Sequence, residues 1–158
     1  MNKPQPILDI RGLTVRLPIR ADRENAIEDV SFSVQPHEIL CVVGESGSGK
    51  SVTAHTVMGL LPPKQLTPTA GQVLLQGDDL LKKSRAEMRA LRGARMSMIF
   101  QEPMTALNPL MSVGDQIEEV LRIHSDLSGR ERTARMIEVM DAVKLPEPER
   151  LIHSPRVY

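Results

Sequence analysis

One stretch of the sequence combines residue types and spacing that suit the binding of a polyphosphate. Gly44-Glu-Ser-Gly-Ser-Gly-Lys-Ser51 fits the pattern G-x-x-x-x-G-K-[ST], between an apolar run and a segment with helical spacing. The glycines allow a tight turn, so that backbone N–H groups can converge on phosphate oxygens at the positive end of a new helix. Lys50 can reach the outer phosphates, and the Ser51 hydroxyl suits Mg²⁺.

The plainer interpretation is a glycine-serine turn that happens to precede a lysine, and the strand-loop-helix context argues against it. The pattern therefore predicts a phosphate-binding loop. We assign nucleotide binding to Gly44, Glu45, Ser46, Gly47, Ser48, Gly49, Lys50, Ser51 and Val52.

The elements that must position this loop alternate along the chain. Loose alternation over Ile7 to Leu17 and strict alternation over Val30 to Val34 predict half-buried strands. The continuous apolar run Ile39 to Val43 predicts a strand covered on both faces. A helix is predicted from Lys50 to Leu61, with an inward face of Val52, Val57, Leu60 and Leu61.

The second half of the chain changes from strands to helices. Strands are expected at residues 72–76 and 96–100. Ser84 with Glu87, and Ser128 with Glu131, have the spacing of capping boxes that open helices. A further helix is expected to bury Val113, Ile117, Val120 and Leu121, and the last one Met136, Ile137, Met140 and Val143. The pattern predicts an α/β fold, with a parallel-sheet core, an antiparallel flap before it and helices after it.

Composition excludes several classes of protein. The 158 residues carry 20 Lys plus Arg against 20 Asp plus Glu, so bulk charge gives no reason to expect nucleic-acid binding. The single cysteine, Cys41, excludes an intramolecular disulfide and a thiolate zinc cluster. The longest aliphatic run, Ile39 to Val43, is far shorter than the ~20 residues of a membrane helix. We therefore expect that the chain itself does not cross a membrane.

A second stretch carries a resemblance to a known family. It consists of Met98-Ile-Phe-Gln-Glu-Pro-Met-Thr-Ala-Leu-Asn-Pro109, and it is considered with the phosphate loop and with Val30-Ser-Phe-Ser-Val-Gln-Pro36. Together these three segments resemble the ATP-binding subunits of ABC transporters, in the dipeptide, oligopeptide and nickel importer branch. The resemblance extends to about His153. It implies the P-loop NTPase core of an ABC ATPase with an antiparallel β flap and the start of a helical subdomain, incomplete. Residues 1–101 would be the flap and front of the core, and 102–158 the Q-loop and partial helical subdomain.

The resemblance also implies roles for individual residues. Gln101 would be the Q-loop glutamine that contacts Mg²⁺ and the attacking water, so that Lys50 and Gln101 are the catalytic candidates and Ser51 and Gln101 the metal ligands. Leu17 stands where many relatives stack an aromatic residue on adenine, and it offers apolar contact without a π-face. His37 stands where relatives have a turn glycine, and we interpret it as a solvated turn residue.

The resemblance implies ATP and Mg²⁺ as cofactors and transmembrane permease subunits and a second ATP-binding subunit as partners, on the inner face of the bacterial cell membrane. The chain lacks a Leu-Ser-Gly-Gly-Gln signature, an apolar strand ending in Asp and Glu, and a switch histidine. Leu127-Ser-Gly-Arg-Glu131 comes too early and fits a helix cap better. We therefore expect the chain alone to be inactive as an ATPase.

Three functions follow from these observations. The first is the ATP-binding subunit, or its front portion, of a peptide-type importer that couples ATP binding and hydrolysis to transport. The second is a non-hydrolysing remnant that binds nucleotide or occupies the permease. The third, a small metabolite kinase, gives no reason for the sequence around Gln101.

Overall fold

The computed structural model describes residues 5–19, 21–102, 107–108 and 110–154. Part of the loop that follows Gln101, residues 103–106 and 109, and the tail from 155 onward therefore lie outside the described residues. The chain forms two compact units, Met1–Arg92 and Gly93–Tyr158. In the part of the chain that the structure describes, no helix is both long enough and apolar enough to cross a bilayer.

The first unit is built on an antiparallel sheet. Its strands are β1 (Leu8–Arg16), β2 (Asn25–Val34), β3 (Thr67–Leu75) and β4 (Asp78–Asp79), in the spatial order β2-β1-β3-β4. Every neighbouring pair is antiparallel. The strands predicted from alternation are confirmed, although β2 and β3 begin several residues earlier than the pattern indicated.

One face of this sheet forms the core of the first unit. Ile10, Leu13 and Val15 of the central strand β1 are fully buried, as is Val73 of β3. Side chains alternate across a regular strand, which accounts for Leu13 and Val15. Ile10 lies three residues before Leu13, and the register irregularity between them lets both be buried. Ile27, which pairs with Val15, extends this core into β2, the strand that the phosphate loop approaches, and its neighbour Ala26 is buried as well.

Helix α1 (Lys50–Val57) follows the glycine-rich loop and is shorter than predicted. Gly59, with φ of 62°, provides the left-handed residue that commonly follows a helix end. Thr53 and Thr56 are the buried residues of α1, whereas the predicted Val52, Val57 and Leu61 are half-buried. Leu60 is exposed beyond the helix end, so for this residue the prediction is wrong. The threonines can be buried because their hydroxyls donate to the carbonyls of Gly49 and Val52, at 3.1 and 2.7 Å.

Two predicted strands are not formed. Residues 39–43 and 97–100 have no strand pairing, and their side chains are largely exposed: Ile39 by 92%, Val43 by 88% and Ile99 by 91%. A continuously apolar strand is stable only between neighbours that cover both faces, and the antiparallel sheet supplies no such neighbours. The described residues therefore contain the antiparallel flap without the parallel core sheet that the apolar runs predicted.

The helix cap and the turn that were predicted from a few neighbouring residues are present in the structure. Helix α2 (Arg85–Leu91) begins at a capping box in which Ser84 N donates to Glu87 Oε2 at 2.7 Å and Glu87 N donates to Ser84 Oγ at 3.3 Å. Hydrogen bonds from the side chain and then the backbone of Ser84 lower the pKa of Glu87. His37 is exposed in a turn with φ of 63°, a conformation that favours glycine.

The second unit is helical, with α3 (Val113–His124), α4 (Gly129–Ala142) and α5 (Pro148–Leu151). Its core is Met136, Met140 and Ile152, with Val113, Ile117, Leu121 and Leu151 packed against it. The two helices expected over these residues are confirmed, but Val120 and Val143 are exposed because they point away from this core.

The short helix α5 was not predicted, since Leu145 to Tyr158 has no clear period. The residue that follows it, Ile152, is buried. Gly114 of α3 lies directly against the backbone of Ile152, so that a Cβ at Gly114 would collide with the Ile152 carbonyl oxygen. Ser128 N and Oγ both donate to Glu131 Oε2, at 2.8 and 2.6 Å, which confirms the predicted cap of α4.

Candidate functional site

The glycine-rich loop turns into α1 at a position that only glycine can occupy. Gly49 is the residue before the helix, with φ of 92°. It lies against β2, where a Cβ would be 3.0 Å from the Ala26 carbonyl oxygen and would collide with the Ile27 side chain. Both the left-handed backbone and the close approach exclude other residues, so β2 fixes the point at which the helix begins.

The start of α1 has no side-chain cap. Among the described residues, no side chain caps this helix start by a hydrogen bond, and its first turn contains no acidic residue. The first backbone N–H groups of a helix lack intrahelical partners, and the helix dipole adds partial positive charge at this end. The helix start is therefore suited to an anion, which would satisfy donors that side chains leave open.

Lys50 places a full positive charge inside the loop. Its Nζ donates to the Gly44 and Glu45 carbonyl oxygens, at 2.7 Å each, and to Ser48 Oγ at 3.2 Å. The chain thus holds the ammonium group over its own carbonyl oxygens, beside the open helix start. A cradle of this kind fits a polyphosphate group, because the lysine and the backbone donors act on neighbouring oxygens.

The remaining residues of the loop are arranged around this centre. Glu45, Ser46, Gly47 and Ser48 are exposed, Ser51 is exposed at the first turn of α1, and Val52 is half-buried. A serine hydroxyl is a hard oxygen ligand of the type that Mg²⁺ accepts beside phosphate oxygens. Within the described ranges, no group of three His, Cys, Asp or Glu side chains forms a metal site. The loop residues could therefore hold Mg²⁺ only together with a bound phosphate, whose oxygens would supply further ligands.

The connection between β1 and β2 reaches the loop. Leu17, half-buried at the start of this connection, donates its N–H to the Glu24 carbonyl oxygen at 2.9 Å. Arg23 Nη2 donates to the Gly47 carbonyl oxygen at 2.9 Å. Leu17 was predicted from the sequence, but Arg23 was not, because it lies in a connection without period or motif. The only feature of the sequence that could have indicated Arg23 is that it is a basic residue six positions after Leu17.

Gln101 belongs to the second unit, where it is exposed. It follows residues 97–100, which form no strand. The structure therefore brings Gly44 to Val52, Leu17 and Arg23 together within one unit, whereas the role of Gln101 toward the loop stays a prediction.

The geometry of the loop suits a polyanion at the helix start, and comparisons with known proteins give the family. Residues 27–156 match the ABC transporter family. Since that match covers most of the chain, the chain belongs to the ABC transporter family.

Individual relatives support the same conclusion. The chain is 41% identical over 155 residues to the dipeptide transport ATP-binding protein of Bacillus subtilis, covering 98% of this chain and 46% of that protein. It is 43% identical over 143 residues to the probable D,D-dipeptide transport ATP-binding protein of Escherichia coli, covering 90% and 44%. It is 44% identical over 151 residues to a putative peptide import ATP-binding protein of Brucella ovis, covering 92% and 45%. The chain thus spans about half the length of these relatives.

A solved structure shows the same fold. The dimeric cassette MJ0796, a bacterial ABC transporter cassette, superimposes with a TM-score of 0.75 at 23% identity, over 92% of this chain and 60% of that one. The same cassette in a post-hydrolysis state, bound to ADP and Pi, gives the same TM-score. The antiparallel flap and the helices that follow are therefore part of an ABC ATPase fold, of which this chain covers a portion.

Proposed function

We propose that this chain is the front portion of the ATP-binding subunit of a peptide-type ABC importer, and that its own residues bind the triphosphate of ATP. The observation that carries the proposal is Lys50, held over the Gly44 and Glu45 carbonyl oxygens beside a helix start without a side-chain cap. The names of the relatives, which include dipeptide transport and peptide import, support the peptide class of cargo.

In this proposal each residue of the loop has a defined task. The backbone N–H groups from Gly44 to Val52 bind phosphate oxygens, and Lys50 balances the charge of the outer phosphates. Ser51 and Gln101 would hold Mg²⁺, which supplies charge neutralisation when it is bound. Gln101 would also orient water, because an amide both donates and accepts hydrogen bonds without adding charge. Leu17 would contact the nucleoside end.

The partners of the whole subunit follow from the same proposal. Transmembrane permease subunits would receive the energy of ATP binding and hydrolysis, and a second ATP-binding subunit would complete the dimer, as the dimeric cassette MJ0796 supports. The chain would then lie in the cytoplasm, against the inner face of the cell membrane. Lys50 and Gln101 remain the proposed catalytic residues of this chain.

A second candidate function is nucleotide binding without turnover, by a remnant that occupies the permease. The exposed run Ile39 to Val43 favours it for the chain studied by itself, because this run leads directly into the phosphate loop and has no sheet neighbours to fix it. When the segment that precedes the loop is not held in a sheet, the loop can bind phosphates but cannot hold a reacting group in a single geometry. Release of phosphate above background that depends on Lys50 would exclude this second function.

The test compares two lysine variants by calorimetric titration with Mg-ATP. A hydrogen bond to a charged group contributes about 1.5–3 kcal/mol, so Lys50→Ala is expected to weaken binding by about 10- to 150-fold. Lys64→Ala is the matched control, because Lys64 is exposed in a turn and lies outside the loop. Equal affinity of the parent and Lys50→Ala would overturn the assignment of the loop.

A further inference from the structure

The nucleoside end of the proposed site has a chemical feature that the loop motif does not supply. Two open depressions lie along the connection between β1 and β2, of about 450 and 480 Å³, and the second of them adjoins the phosphate loop. Leu17 lines the first and Ser48 of the loop lines the second, and both depressions share Arg23 and Glu24. Volumes of this size are within the range of small-molecule sites, ~300–1,000 Å³. A ligand that extends from the loop toward Leu17 must therefore pass Arg23.

Arg23 is held on the outer side of the loop. In a trans peptide the C=O and the following N–H point in opposite directions. Ser48 N donates into the turn, to the Glu45 carbonyl oxygen at 3.2 Å, so the Gly47 carbonyl oxygen points out of the turn. Arg23 Nη2 donates to this oxygen at 2.9 Å. The guanidinium is therefore separated from the inner side of the turn, where Lys50 lies, by the peptide between Gly47 and Ser48.

The charge and the flat faces of Arg23 remain available to a ligand. Glu24, its neighbour, is engaged by Arg16 at 2.8 Å. Among the described residues no carboxylate forms an ion pair with Arg23, and its hydrogen bond to Gly47 uses one of five guanidinium N–H donors. A planar, weakly hydrated cation of this kind stacks well on an aromatic ring.

We propose that Arg23 contacts the base of the bound nucleotide, with its guanidinium plane stacked on the purine ring and Leu17 providing apolar contact beside it. This inference rests on the nucleotide binding proposed above. The hydrogen bond to Gly47 holds the guanidinium next to the loop, so that stacking requires little further ordering of a long side chain. Arg23 thus recognises an aromatic base, whereas Lys50 recognises phosphates.

The experiment measures the affinity of the full chain for two probes, Mg-ATP and inorganic tripolyphosphate, by calorimetric titration. Arg23→Ala is expected to weaken Mg-ATP binding by about 5- to 30-fold, which corresponds to about 1–2 kcal/mol. Arg23→Lys keeps the positive charge but has no planar face, so it is expected to lose most of the same affinity for Mg-ATP. Both probes carry the phosphates, but only Mg-ATP carries a base. Arg23→Lys is therefore expected to bind tripolyphosphate like the parent.

The outcomes separate this inference from the proposed function. Full recovery of Mg-ATP affinity in Arg23→Lys would overturn base stacking, because charge alone would then suffice. An equal loss for both probes in Arg23→Lys would overturn it as well and would assign Arg23 to the phosphates or the loop. Arg89→Ala is the matched control, since Arg89 is exposed on α2 and lines neither depression. A parent chain that binds neither probe would overturn the proposed function, and this inference with it.

Discussion

The contact between the phosphate loop and β2 can be tested with two glycines that share a backbone conformation and differ in surroundings. Gly47 and Gly49 have φ of 81° and 92°. A Cβ at Gly47 would meet nothing within 4 Å, whereas one at Gly49 would meet the Ile27 side chain and the Ala26 carbonyl oxygen. Gly47→Ala therefore adds backbone strain alone, and Gly49→Ala adds strain and a collision.

The expected magnitudes follow from these two contributions. Left-handed backbone costs an alanine about 1–2 kcal/mol, partly offset because alanine also restricts the unfolded chain, which leaves about 1 kcal/mol for Gly47→Ala. Overpacking against a buried neighbour adds about 1–3 kcal/mol, and Ile27 is only 5% exposed and cannot turn away. Gly49→Ala should therefore lower the free energy of unfolding by about 2–4 kcal/mol in total.

Hydrogen exchange of β2 amides, read by mass spectrometry without nucleotide, measures this free energy within the first unit. The double variant Gly49→Ala with Ile27→Ala provides a second comparison, because it removes the side chain that the new Cβ meets. Its destabilisation should be smaller than the sum of the two single changes by about 1–3 kcal/mol. Equal protection of β2 in Gly47→Ala and Gly49→Ala would refute the reasoning, since the packing of the loop on β2 would then have no energetic weight.

Two further predictions concern the helices. Gly114→Ala should destabilise the second unit by about 1–3 kcal/mol, because its Cβ would meet the Ile152 backbone. Gly129→Ala is the control and should not destabilise it, because only the end of the Arg132 side chain is nearby. Thermal unfolding followed by circular dichroism compares the two variants. Hydrogen bonds with Ser84 and Ser128 lower the pKa of Glu87 and Glu131, so their stabilisation is present above the ordinary pKa of 4.5 and is lost as pH falls below it. The parent should therefore lose more stability than Glu87→Gln with Glu131→Gln in urea unfolding between about pH 5 and pH 3, and parallel losses would contradict the assignment.

Patterns that depend on residues close in sequence predicted their structure well. Alternation over Leu8–Arg16 requires only that one face be buried, and the cap formed by Ser84 and Glu87 requires only four consecutive residues. The glycine-rich loop, the helix after it and the left-handed Gly49 also follow from local backbone requirements. These parts of the fold and of the site could therefore be predicted from the sequence.

Features that depend on distant residues could not be predicted in this way. The run Ile39 to Val43 has the composition of a buried strand, but whether it pairs depends on neighbours that no local pattern reveals. Arg23 contacts the loop through the carbonyl oxygen of Gly47, 24 residues along the chain. Ile152 is buried because Gly114 leaves room for its backbone, and the sequence around Ile152 contains no sign of this.

The exposed run Ile39 to Val43 has a consequence for self-association. It is a short, uncharged, β-branched segment without proline, the composition that promotes aggregation through strand pairing between molecules. Glu38 and Glu45 flank it and act as the charged gatekeepers that slow such association. The run directly precedes the phosphate loop. The resistance of the chain to aggregation and the conformational order of the loop therefore depend on the same five residues. We therefore expect salt, which screens the two glutamates, to promote self-association next to the proposed nucleotide site.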